Sequence, residues 1–189
     1  MPIDGEYVKE AKIGHAIMDA DVFISLTHFK GHEMAGFGGA LKNIGMGCGS
    51  RAGKMEQHCD GKPSVDQTNC IGCGRCLAVC KDRPCFHVSL ICDVSPNCDC
   101  HAENDIPIIP NVEMLASFDP VALDQACADL CNRMTPVENS VLGENIKEHG
   151  HQEGCDHFHM THPDTEWKSC IAHAVKIGLG TDQYELITI

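Results

Sequence analysis

Along the chain, apolar and polar positions switch between a helical period and strict alternation. In residues 6–20, Tyr7, Ala11, Ile13, Ile17 and Met18 recur at rough helical spacing, which predicts a helix. Asp21 follows it, and Val22, Phe23, Ile24, Ser25 and Leu26 predict a short buried strand. Phe86, Val88, Leu90 and Cys92 alternate with His87, Ser89 and Ile91, a second strand, and residues 112–118 predict a third. Asp119 is a good N-cap, with Pro120 at the first helical position. Leu123, Ala126, Cys127, Leu130 and Met134 then return at helical spacing. Another helix is predicted over residues 165–177, with Ile171, Ala174, Val175 and Gly178 inward and Gly178 as its stop. Residues 184–189 predict a closing strand.

Strands alternating with helices predict an α/β fold, a layered body. Its first part spans residues 1–66 and its second 85–189, with a small cysteine-dense insertion at 67–84 between them. The stretch THFKGHEMAGFGGALKNIGMGCGSRAGK settles into neither period, and its glycines permit close backbone approach. With aromatic residues at only 5%, the core is expected to lean on Val, Ile, Leu, Met, Ala and Cys.

The formal charge of −13 changes the list of partners more than the fold. No basic run is present, which argues against nucleic acid and against anionic lipid. No apolar stretch has the length of a membrane span, and the first residues carry neither the basic nor the apolar region of a secretory leader. Fourteen cysteines in such a chain point to a cytoplasmic protein with reduced thiols, and twelve histidines beside them point toward metals.

The insertion reads TNCIGCGRCLAVCKD, in which Cys70, Cys73, Cys76 and Cys80 form C-x2-C-x2-C-x3-C. Cysteines this closely spaced wrap a tight loop whose sulfurs converge on one cuboidal cluster, and Gly72 and Gly74 let the backbone turn around it. A zinc site prefers two separated C-x2-C pairs. The spacing therefore predicts an iron–sulfur cluster, [4Fe–4S], with oxygen sensitivity to match. The fourth ligand is Cys80 or a remote cysteine such as Cys85.

These segments, followed by DVSPNCDC and ASFDPVALDQACADL, resemble the iron–sulfur protein family catalogued as domain of unknown function 362. The resemblance runs from about Asp21 to the C-terminus. It implies an α/β body carrying a ferredoxin-like insertion and implies no particular reaction. Many relatives carry two cysteine runs, where this chain has one, and relatives tend to have a longer N-terminal part.

Three further constellations carry chemistry. His149, His151, Cys155, His157, His159 and His162 lie in one segment, where alternating imidazoles suit zinc or nickel as a second transition metal; an exposed loop is the plain alternative. His28, Lys30, His32 and Glu33 directly follow a strand, the end at which α/β folds bind ligands, and Lys42 and Arg51 could add charge there. Asp93, Cys98, Asp99, Cys100, His101 and Asp105 share a turn-rich piece that suits a metal, an active site or turn chemistry alone. Cys127 and Cys131, one helical turn apart, read as core residues, as do Cys48, Cys59, Cys92 and Cys170.

The functional expectation is one-electron transfer through the cluster to a redox partner protein. If the chain is an enzyme, it is an oxidoreductase with a small-molecule substrate. A metal-dependent enzyme with a structural or relay cluster, and a non-catalytic metal-handling scaffold, are the alternatives.

Overall fold

In the computed structural model, the residues described are 10–59, 85–99, 101, 102, 104–150 and 155–189. The cysteine run and His151 lie outside them, as does Cys100. The chain runs through α1 (His15–Met18), β1 (Phe23–His28), β2 (Lys30–His32), β3 (Gly36–Gly38), α2 (Ala40–Gly47) and α3 (Arg51–Cys59). After the insertion come β4 (Cys85–Leu90), β5 (Met114–Ser117), α4 (Pro120–Arg133), α5 (Val141–His149), α6 (His157–Thr161) and α7 (Trp167–Lys176). The fold is α/β, with a mixed sheet in the order β1-β4-β5. β1 and β4 are parallel, with Ser25 opposite His87 and Thr27 opposite Ser89, and β5 is antiparallel to β4. β2 and β3 form a separate antiparallel pair within the glycine-rich stretch.

The sheet faces the opposite way from the one its hydrophobicity predicts. Ser25, Thr27, His87 and Ser89 point into the body and are buried, while Ile24 and Leu26 are 67% and 65% exposed. Ser25 and Thr27 tolerate this because their hydroxyls lie 3.3 Å apart and Asn43 Nδ2 donates to Ser25 Oγ at 3.1 Å. On the outer face the Phe86 and Phe118 rings stand 5.0 Å apart. The centre of the core differs too. Phe29, Phe37 and Phe158 are buried in mutual contact, and Trp167, also buried, joins them through Phe37, whose ring is 5.1 Å from Trp167 and 4.9 Å from Phe29. Aromatics are scarce in this chain, but these four gather where the glycine-rich stretch meets α6 and α7.

α4 forms as its local sequence dictates. Asp119 Oδ1 accepts from Val121 N at 2.8 Å and Ala122 N at 3.1 Å, and Cys127 and Cys131 are fully buried. α7 begins at Trp167 rather than at 165, capped by Glu166, and Val175 faces outward instead of inward. Gly178 stops it at φ +72°. Two expected elements differ. Of the described part of the first expected helix, residues 10–20, only 15–18 are helical, because Ile13 is drawn into a bridge with Gly49 and Ser50 N donates to Lys12 O at 2.8 Å. Residues 184–189 form no strand; Tyr184 instead donates from its hydroxyl to Asp129 Oδ2 at 2.8 Å, tying the segment to α4.

Candidate functional site

Two constellations far apart in sequence meet at the C-terminal ends of β1 and β4. The segment 28–33 leaves β1, and the turn 92–99 leaves β4. Gly31 joins them: its N–H donates to Ser95 O at 2.8 Å, and a Cβ there would overlap the carbonyl of Pro96. The turn is bent by Asp93, which adopts φ +46° and whose N–H donates to Asn111 Oδ1 at 2.7 Å. A non-glycine residue in that region is uncommon, and here a side chain holds it in place.

Around this junction the polar groups are paired in a defined pattern. His28 donates from Nε2 to Cys92 O at 2.8 Å, and its Nδ1 lies 3.4 Å from Asp99 Oδ2. Lys30 Nζ is 2.8 Å from Asp99 Oδ2. Burial works to raise Asp99, but Lys30 and His28 win and hold it below the ordinary carboxylate range. Burial likewise works against the charge of Glu33, yet backbone N–H groups, one of them from Cys98, and the nearby His32 keep its carboxyl low. Lys42, half-buried on α2, directs Nζ to Cys98 Sγ at 3.5 Å, and Cys98 itself is 7% exposed.

His32 is the best-defined member. Its Nδ1 accepts from Met34 N at 3.0 Å and Ala35 N at 3.1 Å, so its proton resides on Nε2. Burial, with the charge of Lys42 next, pulls its pKa down to about 4, which leaves a neutral ring with one N–H to offer. His162 approaches from the end of α6 and donates from Nε2 to Pro96 O at 2.8 Å.

The other expected residues fall elsewhere. Arg51 begins α3 and is exposed. Asp105 and His101 serve the turn, with His101 N donating to Cys98 O at 2.8 Å. Among the described residues of the histidine segment, His149 ends α5 and His157–Thr161 form a capped helix, α6. Asp156 Oδ1 accepts from Phe158 N and His159 N, and its Oδ2 accepts from Trp167 Nε1 at 2.7 Å. His149, His157 and His159 each place Nδ1 3.0 Å from a different backbone carbonyl, those of Asn145, Cys131 and Thr165. Among the described residues no three His, Cys, Asp or Glu side chains share a centre suited to a metal.

A family model described as Domain of unknown function (DUF362) matches residues 1–129. The chain belongs to this family. No curated protein and no solved structure matches it. The match begins earlier than the resemblance read from the motifs and stops inside α4 rather than reaching the C-terminus. DUF362 residues thus supply the whole strand-end cluster except His162, which comes from beyond the matched stretch. Sequence reasoning found each half of the cluster separately and assigned His162 to a different group. Nothing in the local sequence links it to Pro96. Among the described residues no helix is long and apolar enough to cross a membrane.

Proposed function

We propose that this DUF362 chain is an iron–sulfur redox protein that holds a [4Fe–4S] cluster through Cys70, Cys73, Cys76 and Cys80. The observation that carries this reading is the C-x2-C-x2-C-x3-C run on the connection between α3 and β4, two elements of the α/β body. Four thiols at that spacing are the donor set such a cluster takes, and when bound it supplies one-electron steps. The other cysteines fit a division of labour. Burial raises the thiols of Cys127 and Cys131 well above their ordinary range, so both stay protonated and act as core residues rather than ligands. Asp124 adds to the effect at Cys127.

The strand-end cluster favours a second reading, an oxidoreductase in which the same chain also binds a small substrate. α/β folds bind ligands at this end of the sheet, and the cluster offers a neutral His32 N–H, Lys42 and Cys98 there. The charge of −13 suits a basic redox partner, and the fourteen cysteines suit a cytoplasmic setting that keeps thiols reduced. A zinc or nickel ion in the histidine segment has no comparable support from the described side chains.

Protein prepared without oxygen should contain about four irons and four sulfides per chain and give a cluster EPR signal on reduction. Stoichiometric zinc with no acid-labile sulfide would overturn the reading.

A further inference from the structure

We propose that the outer face of the sheet is a dimer interface, and that its occupant is the same face of a second copy of this chain. The face is built by alternation. Ser25, Thr27, His87 and Ser89 are turned inward and buried, so the strand residues between them point out. The strand register arranges these in rows across the sheet: Ile24 beside Phe86, Leu26 beside Val88 and Ala116, and Leu90 beside Met114. Phe118, just past β5, completes the first row, its ring 5.0 Å from that of Phe86. Val22, just before β1, extends the face at one end. None of these outward positions is Asp, Glu, Lys or Arg.

Parallel strands such as β1 and β4 are ordinarily covered on both faces. Here more than half of the surface of Val22, Ile24, Leu26, Met114 and Phe118 is open. These five alone expose on the order of 600 Å², more than the few hundred that a monomer usually leaves in one apolar patch. Each partner in a stable dimer contributes roughly 800 Å², and Phe86, Val88, Leu90 and Ala116 bring the face to that scale. Charge then selects the occupant. The chain carries −13, so two copies repel wherever their acidic surfaces meet. On this face there is no charge to oppose. A basic partner would find no carboxylate here, and its own charges would lose water without compensation. The face also complements itself in shape. Ala116 is short between Met114 and Phe118 on β5 and leaves a hollow that the Phe118 ring of a two-fold related copy can fill. Two sheets would then pack face to face, as in a β-sandwich.

Sedimentation velocity on the full chain, isolated anaerobically and kept with reductant, tests this. Wild type should run at twice the chain mass of 20.5 kDa, and its urea midpoint should rise with protein concentration. Leu26→Glu and Phe118→Glu each put two carboxylates without counter-ions into the interface, and each should raise the dissociation constant more than about tenfold. Both side chains are exposed in the single chain, so circular dichroism should be unchanged. Ile187→Glu, at an exposed apolar position outside the sheet, should leave the dimer intact. If one sheet variant does not fold, the other decides, together with the concentration dependence of the wild-type midpoint. A monomeric wild type, a dimer that tolerates both sheet variants, or a dimer lost in Ile187→Glu instead would overturn the proposal. Cluster content, read by EPR on the same samples, holds or fails separately, because the face contains none of the cysteine run.

Discussion

The carboxylate of Asp124 caps a helix to which it does not belong: Oδ1 lies 2.6 Å from the Ala40 amide nitrogen, and Oδ2 accepts from Leu41 N at 2.9 Å. Gly39 provides no side-chain cap for α2, and a Cβ on it would collide with that carboxylate. The motif FDPVALDQA therefore holds two caps, Asp119 for its own helix and Asp124 for α2, which carries Lys42 to the strand-end site. Asp124→Asn turns one acceptor into a donor facing an N–H. It should destabilise the fold by about 1–3 kcal/mol, read from the urea midpoint. Gly39→Ala should act in the same direction by displacing the carboxylate. An unchanged midpoint in both variants would show that α2 needs no cap.

Asp124 and His32 should bend the pH dependence of stability in opposite senses. Burial pushes Asp124 from its ordinary 3.8 up to about 7, against the pull of the Leu41 and Ala40 N–H groups. Between those values the folded state binds more protons than the unfolded one, so this contribution falls as pH rises from about 4 to 7. His32 is lowered from 6.5 to about 4, so its contribution is full above 6.5 and is lost as pH falls toward 4. His32→Asn keeps an acceptor for Met34 N and Ala35 N but does not titrate. The wild-type advantage over this variant should shrink by about 1–3 kcal/mol between pH 6.5 and 4. An advantage that grows on acidification would mean that His32 is charged in the fold.

Gly31→Ala tests how the site is assembled. The added methyl meets the carbonyls of Pro96 and Ser95, both backbone, so the turn carrying Cys98 must move. Loss of about 1–3 kcal/mol is expected, as for other overpacking changes. An unchanged urea midpoint would show that the close approach is unnecessary.

What could be read from the sequence was what adjacent residues decide. Asp119 and Pro120 start α4 because the cap and the donors it satisfies are neighbours in sequence, and Gly178 ends α7 for the same kind of reason. Long-range partners decided the rest. Ile24 and Leu26 read as core, yet the opposite face turns inward, where Asn43 from α2 satisfies Ser25 while both ring nitrogens of His87 are buried with no hydrogen-bond partner among the described residues. The histidine segment reads as a chelate; among its described residues, Asp156 and Trp167 organise His157–Thr161 as a capped helix and His157 Nδ1 meets the carbonyl of Cys131. The strand-end site was visible as two halves, and contacts between them, Gly31 N to Ser95 O and Lys30 to Asp99 among others, show that they are one.

Cysteine position should separate ligand from core. Cys73 sits at the centre of the run, so Cys73→Ser removes a thiolate from the middle of the donor set and should abolish the cluster signal. Cys127 is fully buried on α4, and its raised pKa keeps a proton on sulfur that a metal ligand must lose. Cys127→Ser should therefore leave iron and sulfide content at the wild-type level and act only on stability. The hydroxyl is smaller and more polar than the thiol, and burying it costs about 1–3 kcal/mol where it finds no acceptor. Iron, sulfide and the urea midpoint measured on both proteins distinguish the two roles. Equal iron loss in both would place Cys127 among the ligands and overturn the division between the run and the core.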